Sequence, residues 1–560
     1  MGSIDHGTKQ QSSWQDIVAR KRQSAETLIP KEWKLPASIL DSLAFPLDKH
    51  SNKLIGLDIP RKSGLLTDRE LDVTENYTVP ELLAKLGSGE FTSLEVTTAF
   101  SKRAAIAQQL TSCLTETFFD KAIERAKYLD QCRNEGKPLG PLHGLPISIK
   151  DGFQIVGTEA SIGYVSFLGK KSTTNSPLVE LLLSLGAVLY VKTNIPQTLM
   201  TADSDNNIFG RTLNPHNTVL NAGGSSGGEG ALVAFRGSPL GVGTDVAGSV
   251  RIPAICCGTY GFKPTASRVP YGGQQVPALA GWKPITASAG PLTNDFEALE
   301  VFVKSVIDAT PALLDSTAVD VPWRALEPKV DSKLRIGVLQ EDPLYPLHPP
   351  VKRILAEAAK KLEAVGHELV PLTAKEGRVS DIQEVAFELF VLHTGTSIGH
   401  IKASGEPMVP SVAKADKPAN YGNYTFVPDL KDMDFVHKYA SLSVLRSELS
   451  ENWRKIWLEK KLDAVLAPSA QNTAVPHDNF GWPPYTAFLN LLDYPACVIP
   501  YGKASKQLDT EAVKMPAAQA QYDPDVLDGA PCSVQVFTRG FRDEECLKVA
   551  RVVDECLKQS

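Results

Sequence analysis

The feature that most limits how this 560-residue chain can fold is a glycine-crowded stretch, Asn221 to Thr265, reading NAGGSSGGEGALVAFRGSPLGVGTDVAGSVRIPAICCGTYGFKPT. Gly223, Gly224, Gly227 and Gly228 surround Ser225 and Ser226, and Gly241, Gly243 and Gly248 lead up to Ser249. Glycine reaches backbone conformations that other residues avoid and lets the main chain approach a ligand closely. Loops of this kind present N–H groups. Those groups suit either a phosphate or the oxyanion that develops when a serine attacks a carbonyl.

Periodicity supplies the framework around that stretch. Pro146 to Lys150 reads as a strand with Ile147 and Ile149 on one face and Ser148 and Lys150 on the other. Further strands are predicted over 187–192, 334–339, 462–467, 496–499 and 533–537. Thr92 and Glu95 form a capping box ahead of a helix whose apolar face is Leu94, Val96, Ala99, Phe100 and Ala104. Helices are also predicted over 118–132 and 542–557, the latter with Cys546, Leu547, Ala550 and Val553 at core spacing. Alternating strands and helices argue for a largely parallel sheet under helices. Residues 1–75 are polar and Pro-punctuated and read as an arm on the outside. The aperiodic stretches 402–426 and 502–528 read as surface excursions.

Composition narrows the class. Apolar residues at 42% and charged residues at 22% are ordinary globular usage. Lys and Arg number 58 against 64 acidic residues, so no basic excess exists to neutralise a phosphate backbone, and nucleic acid is excluded as a partner. The eight cysteines contain no C-x-x-C pair; Cys256 and Cys257 read as packing, and a reducing, cytoplasmic setting is expected. The most apolar long stretch, 177–191, is interrupted by Glu180 and is shorter than the ~20 residues needed to span a bilayer. No H-E-x-x-H and no histidine pair at ligand spacing occurs, so neither a metal nor another cofactor is expected.

Three readings of the glycine stretch compete. A P-loop lacks its Gly-Lys-Ser/Thr, and Glu229 stands where it would repel phosphate. A nucleophile elbow fits G-x-S-x-G at 223–227 and at 224–228, with His393, His437 or His477 as base, but 218–221 is a poor leading strand. The third is a serine hydrolase with a lysine base, a role only a neutral amine can fill; taken by itself, Lys150 reads as a solvated strand-end lysine.

The wording of the sequence bears on that choice. Gly-Gly-Ser-Ser-Gly-Gly at 223–228 is followed by Gly-Thr-Asp-Val-Ala-Gly-Ser-Val-Arg-Ile-Pro-Ala at 243–254 and Gly-Phe-Lys-Pro-Thr at 261–265. Upstream stand Gly-Leu-Pro-Ile-Ser-Ile-Lys-Asp-Gly at 144–152 and the segments 193–198 and 209–215. In this order the motifs resemble the amidase signature family, over roughly Thr78 to Val553, and most of all its fungal general amidase and acetamidase branch. The resemblance implies an α/β fold with a large twisted mixed sheet flanked by helices on both faces. It implies one catalytic domain over 76–560 with 1–75 as the arm.

It further implies a Ser-cisSer-Lys triad: Ser249 as nucleophile, Ser225 as bridging serine and Lys150 as base. The amides of Val246, Ala247, Gly248 and Ser249 would hold the oxyanion. The family usually has Gly where Ala247 stands, which is tolerable at negative φ. Leu199, Trp282 and segments between 385 and 485 are expected at the acyl pocket. Asp151 must point away from Lys150, because a carboxylate there would favour the charged amine. Asp245 and Arg251 are expected to form a structural pair, and Ser226 to serve the loop. The expected substrate is a small aliphatic or aryl monocarboxylic amide, yielding a carboxylate and ammonia. The alternatives are a fatty-acyl or aryl amide or ester hydrolase, an elbow-type esterase, and a silent scaffold. An exposed apolar helix would allow a homodimer.

Overall fold

The computed structural model describes residues 13–279, 281–326, 333–392, 394–415, 425–517 and 519–559. Its backbone is a single sheet of 11 strands: β1 Leu114–Thr117, β2 Pro146–Lys150, β3 Val188–Thr193, β4 Leu240–Asp245, β5 Tyr260–Lys263, β6 Ser288–Thr293, β7 Arg335–Leu339, β8 Glu368–Leu372, β9 Ala464–Pro468, β10 Ala496–Lys503 and β11 Pro531–Phe537. They lie in the order β1-β3-β2-β4-β6-β5-β10-β11-β9-β7-β8.

The sheet is mixed, as the family resemblance implies, rather than largely parallel, as the alternation of elements suggests. β2 runs parallel to β3 and β4, and β7 parallel to β8 and β9. The centre is antiparallel: β4 with β6, β6 with β5, β5 with β10, and β10 with β11. The antiparallel strands β4, β5 and β6 read LGVGTD, YGFK and SAGPLT, sequences without the β-branched alternation that marks a strand. They are buried throughout.

The expected helices form at Ser93–Thr111, Phe119–Asn134 and Asp543–Lys558, and both halves of the Thr92/Glu95 capping box are made. In the N-terminal arm, Ile29, Trp33, Leu54 and Ile59 join the same apolar core as the sheet, and the Trp33 ring meets Phe119 at 5.3 Å. Each such buried side chain contributes ~1.5–3 kcal/mol relative to exposure. The two aperiodic stretches bury more than surface excursions would. Asp509 pairs with Arg353 at 2.6 Å and Met515 is buried, while Val409 and Val412 pack with Ile162 and Tyr164. Each stretch also carries a short helix, Pro410–Ala415 and Pro524–Leu527, too brief to show a period in the sequence. Part of 402–426 lies outside the described residues. All eight cysteines are buried and free, and among the described residues no helix is long and apolar enough to cross a membrane.

Candidate active site

β2 delivers Lys150 to the site. Ser148 and Lys150 share the strand face opposite Ile147 and Ile149, so both polar side chains meet the loop and helix that follow Gly224. Lys150 is 1% exposed, and its Nζ lies 2.6 Å from Ser225 Oγ and 2.8 Å from Thr244 Oγ1 on β4. Burial pushes this amine down to about 7 from its ordinary 10.5, against the smaller upward pull of Asp245, Glu229 and Asp151. Asp151 is turned away: its carboxylate accepts from Thr115 Oγ1 at 2.8 Å and from the Ile162 amide at 2.7 Å, and lies 3.8 Å from Lys192.

Two loops bring the serines. The Gly224–Ser225 peptide is cis, and Ser225 stands just ahead of the helix Gly227–Ala234. Ser226 donates its amide to Ser249 O at 3.2 Å, which ties the loops together, and its hydroxyl lies beside the Thr244 main chain. Ser226 thus serves the loop. Ser225 and Ser249 are 3% and 8% exposed, and among the described contacts their hydroxyls are not hydrogen-bonded to each other.

The turn before Ser249 is built on Asp245. Its carboxylate accepts from Arg251 Nε and Nη2 at 3.1 Å each, from Asn490 Nδ2 at 2.9 Å, and from the Gly248 and Val250 amides at 2.8 and 3.2 Å. Burial alone would raise this acid, but Arg251 overrides it and holds Asp245 at about 2. One expectation changes here. The Gly248 N–H is engaged by Asp245, which leaves the Val246, Ala247 and Ser249 amides without a partner among the described residues. Gly248 has φ +125°, and a Cβ there would run into Thr486 Oγ1. Ala247 is not among the positive-φ residues, so its methyl is tolerated; its carbonyl accepts from Thr486 Oγ1 at 2.7 Å.

Ser249 opens on a cavity of about 100 Å³ whose wall includes Leu199, Met200, Val246, Ala247, Phe390 and Trp482. A second cavity of about 440 Å³ shares Met200, Val246, Phe390 and Trp482 and adds Trp282, so Trp282 belongs to the outer chamber. Thr198 and Leu199 have φ +76° and +62°, a conformation that costs a non-glycine residue and marks a constrained wall. Phe390 and Trp482 fall within the 385–485 segments expected at the pocket, but neither they nor Thr244 stand out in the sequence. Thr244 was within the signature itself, two residues before Val246; the aromatic walls carry no local signal.

The elbow reading fails on geometry. No strand leads into Ser225, His437 is exposed, and His477 Nε2 is bonded to Thr218 O at 3.0 Å; His393 lies outside the described residues. Among the described residues no group of three His, Cys, Asp or Glu side chains could hold a metal.

A family model described as Amidase matches residues 95–547. The chain is 40% identical to an amidase of Gibberella moniliformis over 549 residues, covering 98% of this chain and 99% of that protein. It is 36% identical to an acetamidase of Aspergillus oryzae over 567 residues, 98% and 99% covered. Among solved structures, a fatty acid amide hydrolase superposes with a TM-score of 0.88 at 30% identity, covering 97% of this chain and 95% of that one.

Proposed function

Because the chain belongs to the amidase family and is an amide hydrolase, we propose that Lys150, Ser225 and Ser249 are its catalytic residues and that its substrates are amides of monocarboxylic acids. The observation that carries this reading is the Lys150 amine, buried and 2.6 Å from Ser225 Oγ, with hydroxyls as its nearest partners. A neutral amine has one lone pair. It takes the proton of Ser225 as Ser225 takes that of Ser249, and Ser249 Oγ attacks the amide carbonyl. The Ser225–Ser249 contact closes when substrate is bound, as catalytic hydrogen bonds often do.

The carbonyl oxygen, now anionic, rests on the amides of Val246, Ala247 and Ser249; loss of one such donor typically costs about 100 to 1000-fold in rate. The relay then runs backward and protonates the departing nitrogen, breaking the C–N bond and leaving Ser249 acylated. Water, deprotonated by the same route, releases the carboxylate. Ammonia is the other product for a primary amide.

The small cavity beside Ser249, walled mostly by apolar side chains with Asp203, Lys414 and Asp478 among its lining, suits an acyl group of few atoms, and the names of the acetamidase relatives point the same way. The adjoining chamber supports a second reading, in which a longer acyl or aryl group extends past Phe390 and Trp482. One catalytic domain over 76–560, with 1–75 as an arm sharing its core, accommodates either. The test is ammonia release from acetamide, benzamide and long-chain amides. Ser249→Ala should abolish acyl-enzyme formation, Ser225→Ala slow it severely, and Ser226→Ala do less; full activity in Ser249→Ala sinks the proposal.

A further inference from the structure

Behind Lys150 lies a buried acid that the relay does not use. Glu229, in the first turn of Gly227–Ala234, is fully buried; Thr193 Oγ1 lies 2.7 Å from its Oε1 and Ser148 Oγ 2.5 Å from its Oε2. Ser148 Oγ is also 2.9 Å from Ser238 Oγ, which is 2.8 Å from Leu240 O. The hydrogens can be counted along this chain. Each hydroxyl carries one proton, and a carbonyl only accepts. Tyr190, which also meets Ser238, spends its proton on Gly237 O at 2.5 Å, and Ser238 spends its own on Leu240 O or on Tyr190, so the Ser148–Ser238 contact uses the proton of Ser148. Thr193 spends its own on Oε1. Three hydroxyl protons serve three contacts, and the fourth, between Ser148 and Oε2, has none left.

We infer that Glu229 holds a proton on Oε2 and donates it to Ser148, so that Lys150 faces a neutral carboxylic acid and remains a free amine; Glu229 is a positioning residue for the base. The inference rests on Lys150 as base for its functional meaning, though not for the location of the proton. Energetics agree. The helix N-terminus favours an anion at this position by ~0.3–1 kcal/mol, whereas burying an uncompensated carboxylate costs several kcal/mol. Burial pushes Glu229 up to about 8, against the two hydroxyl hydrogen bonds and the pull of Lys150. The other titratable groups around this pocket are Tyr190 on β3, Asp245 on β4, Tyr271 against Thr244, and Cys113 and Asp151 beside the ends of β1 and β2; Lys192, also on β3, lies on the opposite face. Lys192 is engaged with Glu159 O and Asp151, and Asp245 with Arg251, so neither neutralises Glu229. Space is also committed: a Cβ at Gly241 would strike Glu229 Oε2, which fixes the carboxyl against Ser148.

Two measurements test this. Neutron diffraction from crystals of the wild-type enzyme near neutral pH should show deuterium on Glu229 Oε2, directed at Ser148; a bare carboxylate there overturns the inference whatever the mutants do. The second is the pH dependence of kcat/KM in Glu229→Gln, whose amide reproduces the donor to Ser148 and the acceptor for Thr193. With a neutral Glu229 in the wild type, the midpoint of the acidic limb should move by less than about half a unit. A fall of about 1–3 units, the effect of removing an opposite charge a few ångströms away, would mean that Glu229 was ionised and paired with a charged Lys150. Failure of the base reading is distinguishable: Lys150→Met would then keep the acidic limb while the neutron result stood.

Discussion

Lys150 and Lys192 sit at the ends of neighbouring parallel strands, both buried, and the fold treats them differently. The register pairs Ile149 with Lys192, which puts the Lys192 side chain on the face opposite Lys150. There Lys192 Nζ donates to Glu159 O at 2.6 Å and lies 3.8 Å from Asp151. Among the described residues, Lys150 meets only the hydroxyls of Ser225 and Thr244 within hydrogen-bonding distance. Burial lowers both amines, and carboxylates work against the shift at both: Asp245, Glu229 and Asp151 for Lys150, and Asp151, Glu116 and Glu159 for Lys192. Among the described residues a carboxylate comes within 4 Å of Lys192 and none does of Lys150, a difference set by the alternation of β2 and the position of Asp151.

The same substitution at the two positions should therefore have opposite consequences. Lys150→Met should lower kcat/KM by ~10²–10⁴-fold, the usual worth of a general base, and remove the acidic limb; Lys192→Met should leave that limb in place. On stability the signs reverse. Lys150 has its pKa lowered on folding, so between about 7 and 10.5 the unfolded chain binds one more proton and stability climbs with pH; below 7 the full cost of burial is present. Lys150→Met should consequently stabilise the protein by ~1–4 kcal/mol near pH 7, a gain that fades towards pH 10. Lys192→Met strands Asp151 and should cost ~3–5 kcal/mol in chemical denaturation. Destabilisation by Lys150→Met at pH 7 would break the comparison.

Supplying Lys150 with the partner it lacks is the next test. Thr244→Asp would set a carboxylate beside Nζ and should raise the amine by ~1–3 units, so that the acidic limb moves up and activity at neutral pH falls ~10 to 1000-fold. An unmoved limb would show that the field at Lys150 is not what sets its protonation.

The part of this arrangement legible in sequence is the part written in contiguous glycine and serine. Ser225, Ser249 and Lys150 stand in short motifs, and the alternation Ile147, Ser148, Ile149, Lys150 already places Lys150 and Ser148 on one face. The mixed sheet was legible only through resemblance, because β4, β5 and β6 carry glycine and proline where strands usually show Val or Ile. The engagement of Gly248 by Asp245 depends on one carboxylate rotamer, and no spacing rule contains that. The cavity walls at Phe390 and Trp482 come from segments more than 100 residues beyond Ser249, brought in by the path of the chain rather than by any local pattern.

The mildest change sharpens the comparison most. Thr244→Val keeps the shape of the side chain and removes one of the two hydroxyls near Lys150 Nζ. A neutral amine donates to Thr244 while accepting from Ser225, so the threonine holds the lone pair aimed at the serine; an ammonium would use the same contact as a donor too. A net hydrogen bond of ~0.5–1.5 kcal/mol is at stake, which corresponds to a loss of about 2 to 13-fold in kcat. If Thr244 served mainly to solvate a charged Lys150, its removal would destabilise the ammonium, and the acidic limb would slide downward. If it aims the free amine, kcat should fall while the limb barely moves. Steady-state profiles of wild type and Thr244→Val against pH separate the two, and a downward slide would return Lys150 to the company of Lys192.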